Sequence, residues 1–423
     1  MASPPGPQTR TPWGLLPNFH RDPLTLLETL GQEYSPLTRL PFGPWTLYLA
    51  VGAEAVEDVL RSHRQHFRKG PGMDVKNPLL GRGLLLSEGE TWRSERHALG
   101  AAFQPQAYSA YERAMRQEIA RRVALVADGE TVDVADFSRQ LALAVAIQAF
   151  FGVDPDSGQM AAVGQAVENL MRHFYSRARS LWRPPYPWPQ LFNRTFYHAA
   201  RGLTGFVEHA LEKGQSPFLD ALAQLPADQR MAEAVTFLIA GHETTANALA
   251  WTLLLLSRHP EVAEHVAGET ETSSASGLQL PYVRAVAFEA LRLFPPVWLM
   301  SRTAVDEVGV AGYRLPSGAD FLVSPWVTHR QAAYYAQATA FCPERWLTGN
   351  AVHGSSRNYR FIAFGAGPRR CPGEHFAVNE ITLAISAVCR RFTLIAASAF
   401  PAPRAGMTLA PGPGRWVRWE TRR

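Results

Sequence analysis

Cys371 stands in the segment Phe361–Ala377, FIAFGAGPRRCPGEHFA, between a glycine-bearing loop and a long apolar stretch that opens near Pro372. Proline is favoured at a first helical position, where its missing N–H would lack a partner anyway. A thiol just ahead of a helix N-terminus meets free N–H donors and the positive end of the helix dipole, and both stabilise a thiolate. Arg369 and Arg370 push in the same direction. Gly367 and Gly373, one on each side, let a flat ring approach the backbone closely. A thiolate held this way suits the axial position of a haem iron. A lone cysteine more often packs as a small hydrophobe. Cys342 and Cys389 have no comparable surroundings and belong to core or surface.

Three further groups carry chemistry. In 236–247, TFLIAGHETTAN, Glu243 and Thr244 are adjacent polar residues inside an apolar helical run. A helical Thr usually bonds its hydroxyl back to the preceding turn, whereas a carboxylate beside a free hydroxyl is a proton-delivery pair. In 288–296, FEALRLFPP, Glu289 and Arg292 stand at i and i+3 on one helix face, and Arg345 follows in Pro343–Trp346. In GETWRSERHALGAAF, Trp92 and Arg96 share a face at i and i+4. Donors of that kind offset the cost of burying anionic groups such as haem propionates.

Phe364, Gly367, Arg369, Cys371 and Gly373 together resemble the haem-binding signature of the cytochrome P450 family, and the four groups follow that family's order across residues 92–377. The resemblance implies a mainly α fold with small β-sheets, a single haem domain over 1–423 that opens with an extended Pro-rich arm over 1–20. It implies that Cys371 is the axial ligand of haem b. Trp92, Arg96, Arg302 and Arg369 would meet the propionates, with Phe364, Gly365 and Gly373 beside the ring and His97 and His375 as neighbours rather than ligands. Glu243 and Thr244, after Ala240 and Gly241, would deliver protons where dioxygen is reduced, the Thr hydroxyl free of the helix ladder and the carboxylate behind it. Glu289, Arg292 and Arg345 would form a buried network behind the cysteine loop. Phe237, Ala240, Gly241, Val297, Trp298 and Leu299 would line the substrate pocket, the two small residues leaving room over the iron.

The implied activity is monooxygenation with O2. NAD(P)H-derived electrons would come through a separate ferredoxin and its reductase, because no G-x-G-x-x-G unit and no cysteine cluster occurs. Arg93, Arg360 and Arg370 are candidates for docking that acidic partner. A peroxygenase or a haem-based sensor would have no need of Glu243 and Thr244. The chain looks most like bacterial carotenoid β-ring hydroxylases of this family, with fatty-acid and terpenoid hydroxylases as the rivals. Eight aromatics between Leu170 and Tyr197 suit an apolar entrance that grazes a membrane, while Arg172, Arg177, Arg179 and Arg183 could hold a fatty-acid carboxylate.

The elements that must position these residues are mostly helical. Apolar spacing predicts helices over Ala53–Phe67, Gln106–Ala127, Ser138–Phe151, Met160–Arg177, Asn193–Lys213, Met231–Ser257, Pro281–Leu293 and Pro372–Phe392, with a short one after Asp22-Pro23. Strands are expected at Thr46–Val51, Val308–Tyr313, Ala319–Ser324 and within Met407–Trp419. Four prolines exclude a helix over Trp182–Phe192, and Gly268–Gln279 reads as a surface loop. Of the 42 Lys and Arg residues only Lys69, Lys76 and Lys213 are lysines, and the arginines are dispersed, so a nucleic-acid footprint is not expected. Three cysteines point to a reducing, cytoplasmic setting. The Pro-rich start is no signal peptide, and uncharged runs stay below the ~18 residues of a membrane span, which leaves at most a peripheral membrane contact.

Overall fold

The computed structural model describes all residues except 1–2, 74–76, 82, 155, 180–185, 187–190, 273–278 and 348–357, and the side chains of 157, 179, 191 and 192. The chain begins with α1 (Leu16–Arg21), α2 (Pro23–Glu33), β1 (Leu37–Phe42), β2 (Trp45–Ala50), α3 (Ala53–Glu57) and β3 (Phe67–Lys69). A helical stretch follows: α4 (Gly89–Gly100), α5 (Pro105–Ala124), β4 (Glu130–Asp133), α6 (Val134–Phe151), α7 (Ser157–Arg179), α8 (Leu191–Lys213), α9 (Pro217–Leu222), α10 (Ala227–Leu256), α11 (Pro260–Thr272) and α12 (Pro281–Leu293). Then come β5 (Met300–Ala304), β6 (Val308–Val310), β7 (Tyr313–Leu315), β8 (Asp320–Val323) and α13 (Pro325–Thr328). The chain ends with α14 (Glu374–Arg391), β9 (Phe392–Ala396), β10 (Pro403–Ala405), β11 (Leu409–Pro411) and β12 (Trp416–Thr421). Helix dominates, and the sheets are small.

Two compact units emerge. One comprises Met1–Met73 and Leu291–Cys371, the other Asp74–Ala290 and Pro372–Arg423. The first is built on a five-stranded sheet in the order β1-β2-β8-β5-β3. Its pairings are antiparallel except β2 with β8, where Leu49 meets Leu322 in parallel register. The second is a helical body whose core is α10 against α6, flanked by α5 and α14. Asp133 caps α6, its carboxylate accepting from the amides of Ala135 and Asp136 at 3.0 and 3.1 Å, so the helix starts four residues before the expected Ser138. Helix α6 is also the one described helix long and apolar enough to cross a membrane, and 78% of it is buried within the fold.

Several expectations fail for local reasons. The helix expected over Ala53–Phe67 stops at Glu57, widens into a π-turn over Asp58–Ser62 and a 3₁₀ turn over Arg64–His66, and gives way to β3 because Phe67 and Lys69 pair with Ala304 and Arg302. Val308–Tyr313 is no single strand. It folds back as the β6–β7 hairpin through Ala311 and Gly312, both at positive φ (48° and 80°). Helix α11 extends through Thr272 into the expected 268–279 loop, and 273–278 lie outside the described residues. Pro372 stands outside α14, whose first residue is Glu374 with Gly373 as cap.

Candidate active site

In the first unit the cysteine loop is closed by its own backbone. Cys371 N–H donates to the Phe364 carbonyl at 2.9 Å, and Gly365 N–H donates to Ile362 at 2.9 Å. Gly365 and Gly367 sit at φ 70° and 67°, a region that glycine enters without strain. A Cβ on Gly367 would lie 2.2 Å from the Leu60 carbonyl oxygen, so this glycine lets the loop seat on the π-turn after α3. That is a function for the irregular turn which apolar spacing did not show. A Cβ on Gly365 would fall 3.9 Å from Met300 Sδ at the start of β5, two residues before Arg302. Gly373 has φ −87°, so its backbone does not require glycine. The three thiols differ: Cys371 is exposed, Cys342 is half-buried, and burial pushes fully buried Cys389 up to about 12.

Behind the loop, Arg292 is fully buried. Its Nη1 donates to the carbonyls of His329 (3.0 Å) and Ala338 (2.6 Å), its Nη2 to Ala340 (3.0 Å), and the guanidinium lies 4.9 Å from the Tyr335 ring. Arg345 faces the same ring at 6.0 Å, which brings these two arginines to one place, while Glu289 is fully buried on α12. Sequence reasoning missed His329. Its Nδ1 meets the Arg292 carbonyl at 3.1 Å, and Nε2 accepts from the Ile362 amide at 2.9 Å. The ring stacks on Phe361, and burial holds its pKa down at about 3. It is therefore neutral, with the proton on Nδ1, and it links α12 to the cysteine loop.

In the second unit Trp92, Arg93, Arg96, His97, Gly100 and Gln104 line a depression of about 440 Å³, and Arg93 is ion-paired with Glu90 at 2.7 Å. Helix α10, 30 residues and ~45 Å long, is buried along most of its length. It breaks this burial at Ala240, which is exposed, and at Gly241, Glu243 and Thr244, which are partly exposed. Gly241 does not serve as free space: a Cβ there would meet the Phe150 ring of α6 at 2.9 Å, so the glycine permits helix packing. Phe237 is likewise drawn into the core, stacked on Phe103 at 5.5 Å and 5.0 Å from Phe218. Of the first unit's pocket candidates, Val297 is exposed, Leu299 half-buried and Trp298 buried, its carbonyl accepting from Ser324 at 2.9 Å.

The acid and the alcohol do not form a pair. Thr244 Oγ1 donates to the Ala240 carbonyl at 2.6 Å, so the hydroxyl expected to be free is bonded to the preceding turn. Successive helical residues point ~100° apart, and the Glu243 carboxylate reaches Asn247 Nδ2 (3.2 Å) and Thr408 Oγ1 (3.1 Å) instead. Asn247 and Thr408 are bonded to each other at 3.0 Å. Neither was singled out from sequence, and Thr408 lies 165 residues from Glu243, beyond any helical spacing.

The chemistry of each unit fits haem taken by itself. The cysteine loop of the first offers an exposed cysteine, a soft iron ligand, with the N–H donors of Arg302 and Arg369 in the same unit. The depression in the second carries Trp92 and Arg96, whose N–H groups suit carboxylates. The cytochrome P450 family profile matches residues 4–411. The chain belongs to the cytochrome P450 family. Cyclooctatin synthase of Streptomyces melanosporofaciens is 31% identical to this P450, over 94% of this chain and 91% of that one. Protein LUTEIN DEFICIENT 5 of Arabidopsis thaliana is 28% identical, over 89% and 70%. The crystal structure of CYP175A1 from Thermus thermophilus is similar to this P450 at a TM-score of 0.83 and 30% identity, covering 98% of this chain and 100% of that one. This P450 is thus a haem-dependent oxidoreductase of the monooxygenase type, acting on a small molecule with electrons from a partner.

Proposed function

We propose that this P450 hydroxylates the β-ionone ring of a carotenoid, and that Cys371 would hold a haem b through its sulfur. The observation that carries the reading is Ala240, the one exposed position in the middle of α10, which offers a substrate a small apolar surface and no charge. An uncharged hydrocarbon is bound there by burial alone, at roughly 25 cal/mol per Å². The isoprenoid-related names of the cyclooctatin and lutein relatives support the same class. They also support the second reading, a terpenoid hydroxylase. A fatty acid is less well served: Arg172 is paired with Glu168 at 3.0 Å and Arg177 lies over Tyr186 at 4.0 Å, while Arg183 and the side chain of Arg179 are outside the described residues.

Cys371 would hold the haem, which would supply reductive activation of dioxygen and insertion of one oxygen atom into a C–H bond. Trp92, Arg96, Arg302 and Arg369 would hold its carboxylates. Thr244 acts as a proton handle whose hydroxyl proton rests on the Ala240 carbonyl and whose lone pairs accept from solvent. Glu243, fixed by Asn247 and Thr408, reaches that hydroxyl only through solvent. The electron donor is an acidic ferredoxin steered by arginines such as Arg360 and Arg370.

A membrane-grazing role for 170–197 has less support. Tyr186 and Phe196 are buried against each other and against His173, Tyr197 Oη donates to the Tyr186 carbonyl at 2.5 Å, and Trp182, Trp188 and the Phe192 side chain lie outside the described residues. The substrate test is a spectral titration with β-carotene, a cyclic terpene and palmitate, followed by product analysis with ferredoxin, reductase and NADPH. Ring-hydroxylated β-carotene supports the assignment. Turnover of palmitate alone, or of the terpene alone, overturns it.

A further inference from the structure

Three polar side chains of the second unit close a ring of hydrogen bonds between α10 and the β10–β11 hairpin. Asn247 Nδ2 donates to Glu243 Oε1 at 3.2 Å and to Thr408 Oγ1 at 3.0 Å, and Thr408 Oγ1 donates to Glu243 Oε1 at 3.1 Å. The ring closes in one sense. A carboxylate oxygen accepts, so Asn247 must present its NH2 and spends both N–H groups, while Thr408 spends its single O–H. Oε1 therefore carries no proton. A proton taken up by Glu243 goes to Oε2, to which no described residue donates.

The hairpin is fixed independently of the ring. Glu243, Asn247 and Trp251 stand at i, i+4 and i+8, on one face of α10. Trp251 Nε1 donates to the Leu409 carbonyl at 3.0 Å in the buried core, next to Thr408. Within the hairpin Ala405 pairs with Leu409, and Gly406 N–H donates to the Thr408 carbonyl at 3.0 Å. Asn247 and Thr408 are buried, whereas Glu243 is half-buried. Two donors on one oxygen of an ionised group make strong bonds and set the rotation of the carboxylate.

The neighbouring titratable groups do not take this part. His242 points ~100° away from Glu243 on the helix, and burial pushes its pKa down, so it is neutral. Arg404 on β10 is exposed. Earlier on α10, burial pushes the Glu233 carboxyl up to about 8, and its Oε1 accepts from the Leu84 amide at 2.9 Å. Among the described residues, Asn247 and Thr408 supply every hydrogen bond that Glu243 makes.

We propose that Thr408, with Asn247, is a positioning residue for proton delivery: the hairpin fixes the Glu243 carboxylate by Oε1 and leaves Oε2 to exchange protons with solvent beside Thr244. Thr408 acts through Glu243, whose own role rests on the function proposed above. Thr408→Val exchanges the hydroxyl for a methyl at nearly unchanged volume. A double-mutant cycle between Thr408→Val and Glu243→Ala, read by denaturant unfolding without substrate, is expected to show a coupling of roughly tenfold in the unfolding equilibrium constant. Additive effects overturn the ring.

Product and hydrogen peroxide per NADPH are then measured with whichever compound of the substrate titration turns over. Thr408→Val is expected to lower product per NADPH roughly threefold to tenfold, a part of what positioned proton transfer contributes. Thr408→Ser restores it, and Thr408→Val adds no further loss to Glu243→Ala. Unchanged coupling in Thr408→Val, or the same loss repeated in the Glu243→Ala background, overturns the positioning role. Because the unfolding cycle uses no substrate, rejection of β-carotene leaves its result intact, and a failed cycle leaves the substrate assignment intact.

Discussion

Arg292 and His329 hold each other from both ends. The Arg292 guanidinium donates to the His329 carbonyl at 3.0 Å, and the His329 imidazole donates to the Arg292 carbonyl at 3.1 Å. The second imidazole nitrogen then accepts the Ile362 amide, nine residues before Cys371. Because burial keeps His329 neutral down to a pKa of about 3, this linkage is unaffected by pH across the working range.

His329→Ala removes an acceptor from a buried N–H and a donor from a buried carbonyl, each worth about 1–3 kcal/mol when left unmade. The variant is expected to lose part of its haem during gel filtration and to unfold at lower denaturant. His329→Gln, able to donate and accept, is expected to recover some of both. Haem content per chain measures the effect, and an unchanged His329→Ala would show that the loop is held without the ring.

Cys371→Ser is expected to abolish the thiolate signature in the reduced carbon-monoxide spectrum, while Cys342→Ser leaves it intact. Cys389 is a poorer control, since a buried thiol pushed up to about 12 is part of the core and its loss affects folding. If the signature survived in Cys371→Ser, the ligand assignment would be wrong.

Thr244→Ala removes the hydroxyl now bonded to Ala240. NADPH and oxygen are still consumed, but product per NADPH is expected to fall roughly tenfold to a hundredfold, at the modest end of what positioned proton transfer contributes, with hydrogen peroxide made instead. Thr244→Ser preserves the donor and restores coupling. Equal coupling in all three proteins would reduce Thr244 to a helix residue.

Glu233 also predicts how stability depends on pH. Its folded pKa of about 8 exceeds the ordinary 4.5, so between those values the unfolded chain has released a proton that the folded protein keeps. Stability attributable to this group therefore falls as pH rises through that window, by about 1.4 kcal/mol per unit, and levels off above it. The difference in unfolding free energy between wild type and Glu233→Gln isolates the slope. A difference that is flat between pH 5 and 8 would mean that Glu233 is already ionised in the fold.

The residues legible in the sequence share one property: their partners are close along the chain. Cys371 with its glycines, and Trp92 with Arg96, are readable because a loop or a single helix sets their relation. What stayed hidden depends on distant segments. His329 acts on Arg292 from 37 residues away, and Thr408 acts on Glu243 from the β10–β11 hairpin. Gly241 was assigned to open space because its packing partner, Phe150, belongs to α6, which no local pattern reveals. The helix expected over Ala53–Phe67 kept its apolar spacing but lost to strand pairing and to the seat needed by Gly367, a tertiary override of a local preference.

Ala240 decides the substrate prediction. It is exposed on the same face of α10 as Thr244, one turn away, while its neighbours Phe237 and Gly241 are committed to the aromatic core around Phe150. A leucine there would project three more carbons from that face without entering the core, so the fold has nothing to accommodate. Ala240→Leu is therefore expected to bind haem and to unfold as the wild type does, and to lose at least roughly tenfold in turnover of β-carotene, since a clash of one or two methyl groups at a reacting centre misplaces the substrate. Gly241→Ala acts oppositely. Its added Cβ meets Phe150 at 2.9 Å, so stability is expected to fall by about 1–3 kcal/mol through overpacking, with activity reduced only in proportion to the folded fraction. Measuring turnover and unfolding for both variants separates the two faces of the helix. Loss of stability in Ala240→Leu with full activity per folded chain would place the substrate elsewhere.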